Sequence, residues 1–204
     1  MILTTIQSEE AFNILCREGS LKASSDKIMF RPDDKLAHFA YKWMSREMQK
    51  RIGKPPVDIE FPMWAWYQWE GKKAKIDMRR SGYAEKDSTI YRIVFQIPES
   101  KVLLSDFDLW HIPLNGGYLA KNEDDEDKYY EFRESVLKEM GNDYSDDLEV
   151  DVLKERILES WNSIFDIDCE NEYFCYPNAE KTIQGTFWEL KLEYVLSSEV
   201  FTAR

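Results

Sequence analysis

The chain has 204 residues, a formal net charge of -12, three cysteines, and an apolar share of 43% that includes 14% aromatics. Such aromatic content rules out a disordered chain, and the length suffices for one ordinary domain, 1–204, with a core built without metal or disulfides. The acidic balance argues against passive coating of DNA or RNA, which relies on Lys and Arg to neutralise phosphates. The three cysteines, Cys16, Cys169 and Cys175, have no two-residue spacing of the zinc type, and reduced, partly buried thiols are expected. No stretch approaches ~18 consecutive apolar residues, so no membrane partner is expected, and the N-terminus carries neither a basic nor a long apolar leader, so the expectation is a cytoplasmic protein.

In chain order, residues 1–7 are β-branched enough for a strand. Ser8 then offers an N-cap oxygen before Glu9 and Glu10, with Ala11, Phe12, Ile14 and Leu15 as an apolar helix face and Gly19 as its stop. A second helix runs from a cap at Asp33 or Asp34 to Gly53. Its stripe is Leu36, Phe39, Ala40, Trp43, Met44, Met48 and Ile52. His38 lies within it, at the edge of that stripe.

From residue 61 the pattern turns to strands: residues 63–69, a partner for it at 74–80, the alternating run 90–97, and 101–111. Short turns between them imply antiparallel pairing. Residues 101–111 read as one extended strand, with Asp106, Asp108 and Trp110 on one face and Ser105, Phe107, Leu109 and His111 on the other. The acidic run 122–128 reads as a solvated loop or helix entry, 130–140 as a helix broken at Gly141-Asn142, and 146–165 as a helix capped by Asp146 or Asp147. Residues 169–180 are irregular, while 182–192 and 199–203 look strand-like. The fold class expected is α+β, a mostly antiparallel β-sheet flanked by three to four helices.

Five of the seven tryptophans fall in three dense segments, around 63–69, 101–111 and 183–190, and the three are expected to meet in one core or around one pocket. Trp64-Ala65-Trp66-Tyr67-Gln68, Ser105-Asp106-Phe107-Asp108-Leu109-Trp110-His111, Phe187-Trp188-Glu189-Leu190 and the ending Phe201-Thr202-Ala203-Arg204 together resemble a bacterial family of unknown function, numbered 3841, over essentially the whole chain. That resemblance brings no activity. A second, weaker one does: the opening strand through Thr5-Ile6-Gln7, its helix and Gly19-Ser20-Leu21 look like the start of compact ADP-ribosyltransferase-like domains, and residues 184–192 are similar to their final strands.

The second resemblance implies NAD as cofactor and a glutamate that stabilises the charge developing on the nicotinamide ribose. Glu189 is the candidate, with Gln184 second; apart from that resemblance, His111 at the end of the Asp106–Asp108 run is a candidate general base, because the ordinary histidine pKa lies near neutrality. Cofactor contacts would come from the Gln7 amide, from Trp64, Trp66 and Tyr67, whose rings offer flat stacking faces, and from Arg79 and Arg80 in the basic cluster that includes Lys72, Lys73 and Lys75. Many such domains grip the cofactor with a His or Arg in the first strand, where this sequence has only Thr5 and Gln7. A non-catalytic interaction or regulatory module is the alternative reading. A metal-dependent hydrolase built on Asp106, Asp108 and His111 is the third, although no further ligand stands at metal spacing. Phosphate-binding glycine loops, dinucleotide fingerprints, nucleophile elbows and His-Glu-x-x-His are all absent from the sequence.

Overall fold

The computed structural model describes residues 1–24, 33–56, 59–73, 76–78, 82–141, 146–169 and 175–204. Strand β1 (Ile2–Ser8) leads into helix α1 (Glu9–Glu18), as expected: the Ser8 hydroxyl accepts the Ala11 N–H, and Gly19 closes the helix at φ 74°. A short β2 (Ser20–Lys22) follows, and then α2 (Lys35–Ile52), whose Asp34 carboxylate accepts the Ala37 N–H. The remaining elements are β3 (Met63–Gln68), β4 (Thr89–Gln96), β5 (Leu103–Asp106), α3 (Phe107–Leu114), α4 (Glu123–Met140), α5 (Asp151–Ser160), β6 (Ile183–Phe187), β7 (Glu189–Lys191) and β8 (Val195–Thr202). The α+β class and the mostly antiparallel sheet hold, with five α-helices among the described residues.

Six strands form one antiparallel sheet in the order β5-β6-β3-β1-β4-β8, and β2 pairs with β7 in a separate ribbon. The first strand is therefore central. Alternation divides its neighbours cleanly. Leu3, Ala65, Ile93, Phe95 and Phe187 share a cluster with Leu15 of α1 on one face, where Phe12 also stacks on Tyr91 at 4.0 Å. On the other face Trp64 and Leu103 pack with Trp43, Met44 and Met48 of α2, Leu109 and Trp110 of α3, and Ile157 and Trp161 at the end of α5.

Several expectations require correction. Residues 101–111 are not one strand. The chain leaves β5 at Asp106, whose Oδ1 accepts the N–H groups of Asp108 at 2.9 Å and Leu109 at 3.1 Å and so starts α3. An aspartate that satisfies two orphan N–H groups is a helix start, and this local bonding wins over the period-two pattern. Asp106, Asp108 and Trp110 consequently do not share a strand face. Among the described residues the partners of β3 are β1 and β6; of the expected partner 74–80, Ile76, Asp77 and Met78 are in no strand, and the rest lies outside the described residues. The final run is broken at Trp188, which leaves the sheet so that its indole N–H donates to the Gly53 carbonyl at 3.0 Å. The acidic run, in keeping with the expected helix entry, opens α4 with Asn122 as its cap, and negative charge there suits the helix N-terminus. Asp146 caps a 3-10 turn (Asp147–Glu149) ahead of α5.

Candidate functional site

Strand pairing brings the tryptophan-rich segments together. Ser105 of β5 sits opposite Gln184 of β6, Gln184 opposite Trp66 of β3, and Trp66 opposite Thr4 of β1. One row of side chains thus crosses four strands on the α2 face, since directly paired positions point the same way. Trp64, two residues from Trp66, belongs to the same face, with Thr186 opposite it.

Aromatic rings wall this row. Trp64 meets Trp110 at 5.2 Å and Tyr41 at 5.5 Å, and Trp66 meets Phe107 at 4.8 Å and Trp69 at 4.7 Å. Burial pushes the Tyr41 hydroxyl up to about 12, so it stays protonated as a donor at neutral pH. Inside the wall the polar atoms are poorly served. Trp64 Nε1, Ser105 Oγ and Gln184 Nε2 are buried with no hydrogen-bond partner among the described residues. Thr186 Oγ1, by contrast, donates to the Leu103 carbonyl at 3.1 Å. Buried polar groups are paired in the great majority of cases, so these three atoms within one patch offer hydrogen-bonding capacity to water or a polar ligand.

The end of β3 is pinned to the start of β6 below this patch. Gln68 Nε2 donates to the carbonyls of Asn178 and Lys181, the Glu70 N–H donates to Thr182 Oγ1, and the Gly71 N–H donates to the Lys181 carbonyl. Lys181 itself is 1% exposed, and its ammonium donates to the carbonyls of Ile167 and Cys169.

Other expected site residues are dispersed. Gln7 lies on the α1 face of β1, where its amide donates to Thr5 Oγ1 at 2.8 Å, and Tyr67 packs into the α1-side cluster with Lys73 over its ring. Glu189 stands on the β2–β7 ribbon opposite Lys22, with 3.8 Å between its carboxylate and the ammonium. His111 is exposed on α3, with Nδ1 3.0 Å from the Phe107 carbonyl and its ring edge-on to Phe107 at 4.9 Å. Arg79 and Arg80 lie outside the described residues, as does Lys75.

Asp106 is spent on capping α3. Burial outweighs its two backbone bonds and the nearby Lys181 charge and raises its carboxyl above the usual range. Asp108 is raised too, first by burial and then by the Asp106 charge. Among the described residues no group of three or more His, Cys, Asp or Glu side chains is placed to hold a metal ion.

The domain-wide signatures now have both an order and a geometry, and a family model, described as a domain of unknown function (DUF3841), matches residues 2–196. The chain belongs to the DUF3841 family. No curated protein and no solved structure matches it. For this DUF3841 chain no described helix is long and apolar enough to cross a membrane.

Two features of this DUF3841 chain escaped sequence reasoning. Arg92 is buried on β4, where Nη1 donates to the Ile76 carbonyl at 2.6 Å and Nη2 pairs with Glu199 at 2.7 Å. It lines a groove of about 950 Å³ with Asp77, Lys86, Asp87, Phe201 and Arg204, at the β4–β8 end of the same sheet face as Trp66. A charge amid Ile90-Tyr91-Arg92-Ile93-Val94-Phe95 was its signal, since an arginine in an inward position of such a strand requires partners. The second is Lys181, which carried no such pattern because its partners are carbonyls of an irregular segment.

Proposed function

We propose that this chain is an ADP-ribosyltransferase-like domain that binds NAD or a related nucleotide on the α2 face of its sheet, with recognition rather than transfer as its activity. The carrying observation is the patch of unpaired buried atoms, Trp64 Nε1, Ser105 Oγ and Gln184 Nε2. Each orphan costs about 1–3 kcal/mol, and a carboxamide or purine edge supplies the acceptors and donors that relieve this cost. The flat faces of such a ring match the indole and phenyl walls of Trp64, Trp66 and Phe107. Entry requires the half-buried Trp66 and Phe107 rings to turn aside. The adjacency of β1, β3 and β6 also supports the reading, because it sets the opening strand one strand away from the closing one.

The residues of the row are uncharged, and Glu189 is paired with Lys22 on the ribbon instead. This favours a binding module over a transferase centre. The test is calorimetric titration of the whole chain with NAD, nicotinamide and adenosine nucleotides. Saturable binding is expected, weakened about tenfold in Gln184→Leu, the equivalent of one hydrogen bond of about 1.4 kcal/mol. Absence of saturable binding up to millimolar ligand, or equal affinity in Gln184→Leu and Ser105→Ala, refutes the site. Nicotinamide release from NAD by the wild type, abolished in Glu189→Gln, refutes the restriction to recognition.

A further inference from the structure

Cys169 and Cys175 are both half-buried, with their sulfurs 3.0 Å apart, whereas Cys16 is exposed on α1. Separate anchors bring the two sulfurs together. The backbone of Cys169 is held through its carbonyl by the buried Lys181 ammonium, which also holds Ile167. Cys175 instead packs against the aromatic core that contains Trp43, Trp110 and Trp161. The pair is thus fixed by contacts outside the residues that link them, and a thiol so placed has its resolving partner within reach.

We propose that Cys169 and Cys175 are a reversible dithiol–disulfide site, closed by exchange with a low-molecular-weight disulfide of the glutathione type. In the first step one cysteine, as thiolate, attacks a sulfur of the small disulfide. A mixed disulfide forms, and one small thiolate leaves and takes up a proton. In the second step the other cysteine attacks the protein-side sulfur, the Cys169–Cys175 bond forms, and the second small thiol leaves. The protein loses two electrons and two protons, and the small disulfide is reduced to two thiols.

The bond would tie Lys181 and the start of β6 to the core through the covalent link at Cys175. Lys181 already carries the Gly71 and Gln68 contacts, so the end of β3 would stiffen with it. Closing a loop of this size restricts the unfolded chain and raises Tm by about 5–10 °C.

The experiment equilibrates the full chain with oxidised glutathione, alkylates the remaining thiols and reads the mass of the intact protein and its peptides. Expected is a peptide pair two hydrogens lighter that links Cys169 to Cys175, with Cys16 either alkylated or carrying one glutathione, and full reversal by dithiothreitol. The Cys16→Ser variant should behave identically, and Cys169→Ser or Cys175→Ser should stop at a mixed disulfide. Free, alkylated Cys169 and Cys175 after equilibration, stable mixed disulfides at Cys169 or Cys175 in the wild type, or protein disulfides through Cys16 or between molecules would overturn the proposal, whereas glutathione on the exposed Cys16 alone leaves the Cys169–Cys175 link as the deciding result. The outcome does not depend on whether NAD binds.

Discussion

Gly71 is the sharpest probe of how the site is held. Its φ is 75°, nearly the 74° of Gly19 at the end of α1, so alanine at either position bears the same left-handed strain of about 1–2 kcal/mol, partly offset by the loss of unfolded-chain freedom. Their surroundings differ. A Cβ on Gly19 meets nothing within 4 Å, whereas one on Gly71 falls 1.6 Å from the Ala179 carbonyl oxygen and 2.3 Å from its carbon. Backbone cannot yield as a side-chain tip does, so the turn must retreat. Retreat breaks the 2.8 Å bond from the Gly71 N–H to the Lys181 carbonyl and the 3.2 Å bond from the Glu70 N–H to Thr182 Oγ1, each worth about 1 kcal/mol.

Gly19→Ala should therefore cost about 1 kcal/mol, or about 2–4 °C in Tm. Gly71→Ala should cost about 3 kcal/mol, or about 6–12 °C. Urea and thermal denaturation of the two variants beside the wild type measure the difference, and NAD affinity should fall only in Gly71→Ala. Equal destabilisation would show that the turn does not lie against residues 179–182, and with that the pinning of β3 to β6 beneath Trp66 and Gln184 would be lost.

Asp106 gives a pH dependence of defined sign. Its carboxyl is raised above 3.8 in the folded chain, so its contribution to stability is complete below the unfolded value and is lost as pH rises through the folded one. Asp106→Asn keeps an oxygen for the cap and removes that titration, so its stability relative to the wild type should improve from about pH 3 to pH 7; a relative loss on raising pH contradicts the burial argument. Trp161 is fully buried, edge-on to Trp43 at 5.2 Å, and its Nε1 donates to the Gly117 carbonyl at 2.7 Å. Trp161→Phe should lose that bond and leave a small void, costing about 2 kcal/mol or about 4–8 °C, and an unchanged Tm would remove Trp161 from the centre of the core.

The candidate site was half legible. Aromatic density marked Trp64, Trp66 and Trp110 and predicted that their segments meet, which they do in one core that also takes Trp188. Gln184 was the second candidate within the closing run 184–192, and strand pairing sets it opposite Trp66, while Glu189 lies on the separate ribbon. Residues 101–111 were misread because one short run fits two periods. Phe107 and His111 alternate acceptably in a strand, and they are also four apart on a helix, where they now make ring contact.

What the sequence by itself determined about this protein is local: the Ser8 and Asp34 caps, the stop at Gly19, the stripe of α2, the alternation of β4 and the antiparallel habit of the sheet. Each follows from bonds or packing between residues a few positions apart, so its cause lies within the segment. The tertiary structure alone decided that β1 is central, that β3 lies between β1 and β6, that Glu189 joins the ribbon, and that Lys181 is buried. The first three depend on strand pairings separated by about 60 to 170 residues, which are selected by how complete faces fit and leave no period in the chain, and the burial of Lys181 depends on carbonyls of an irregular segment that carries no pattern.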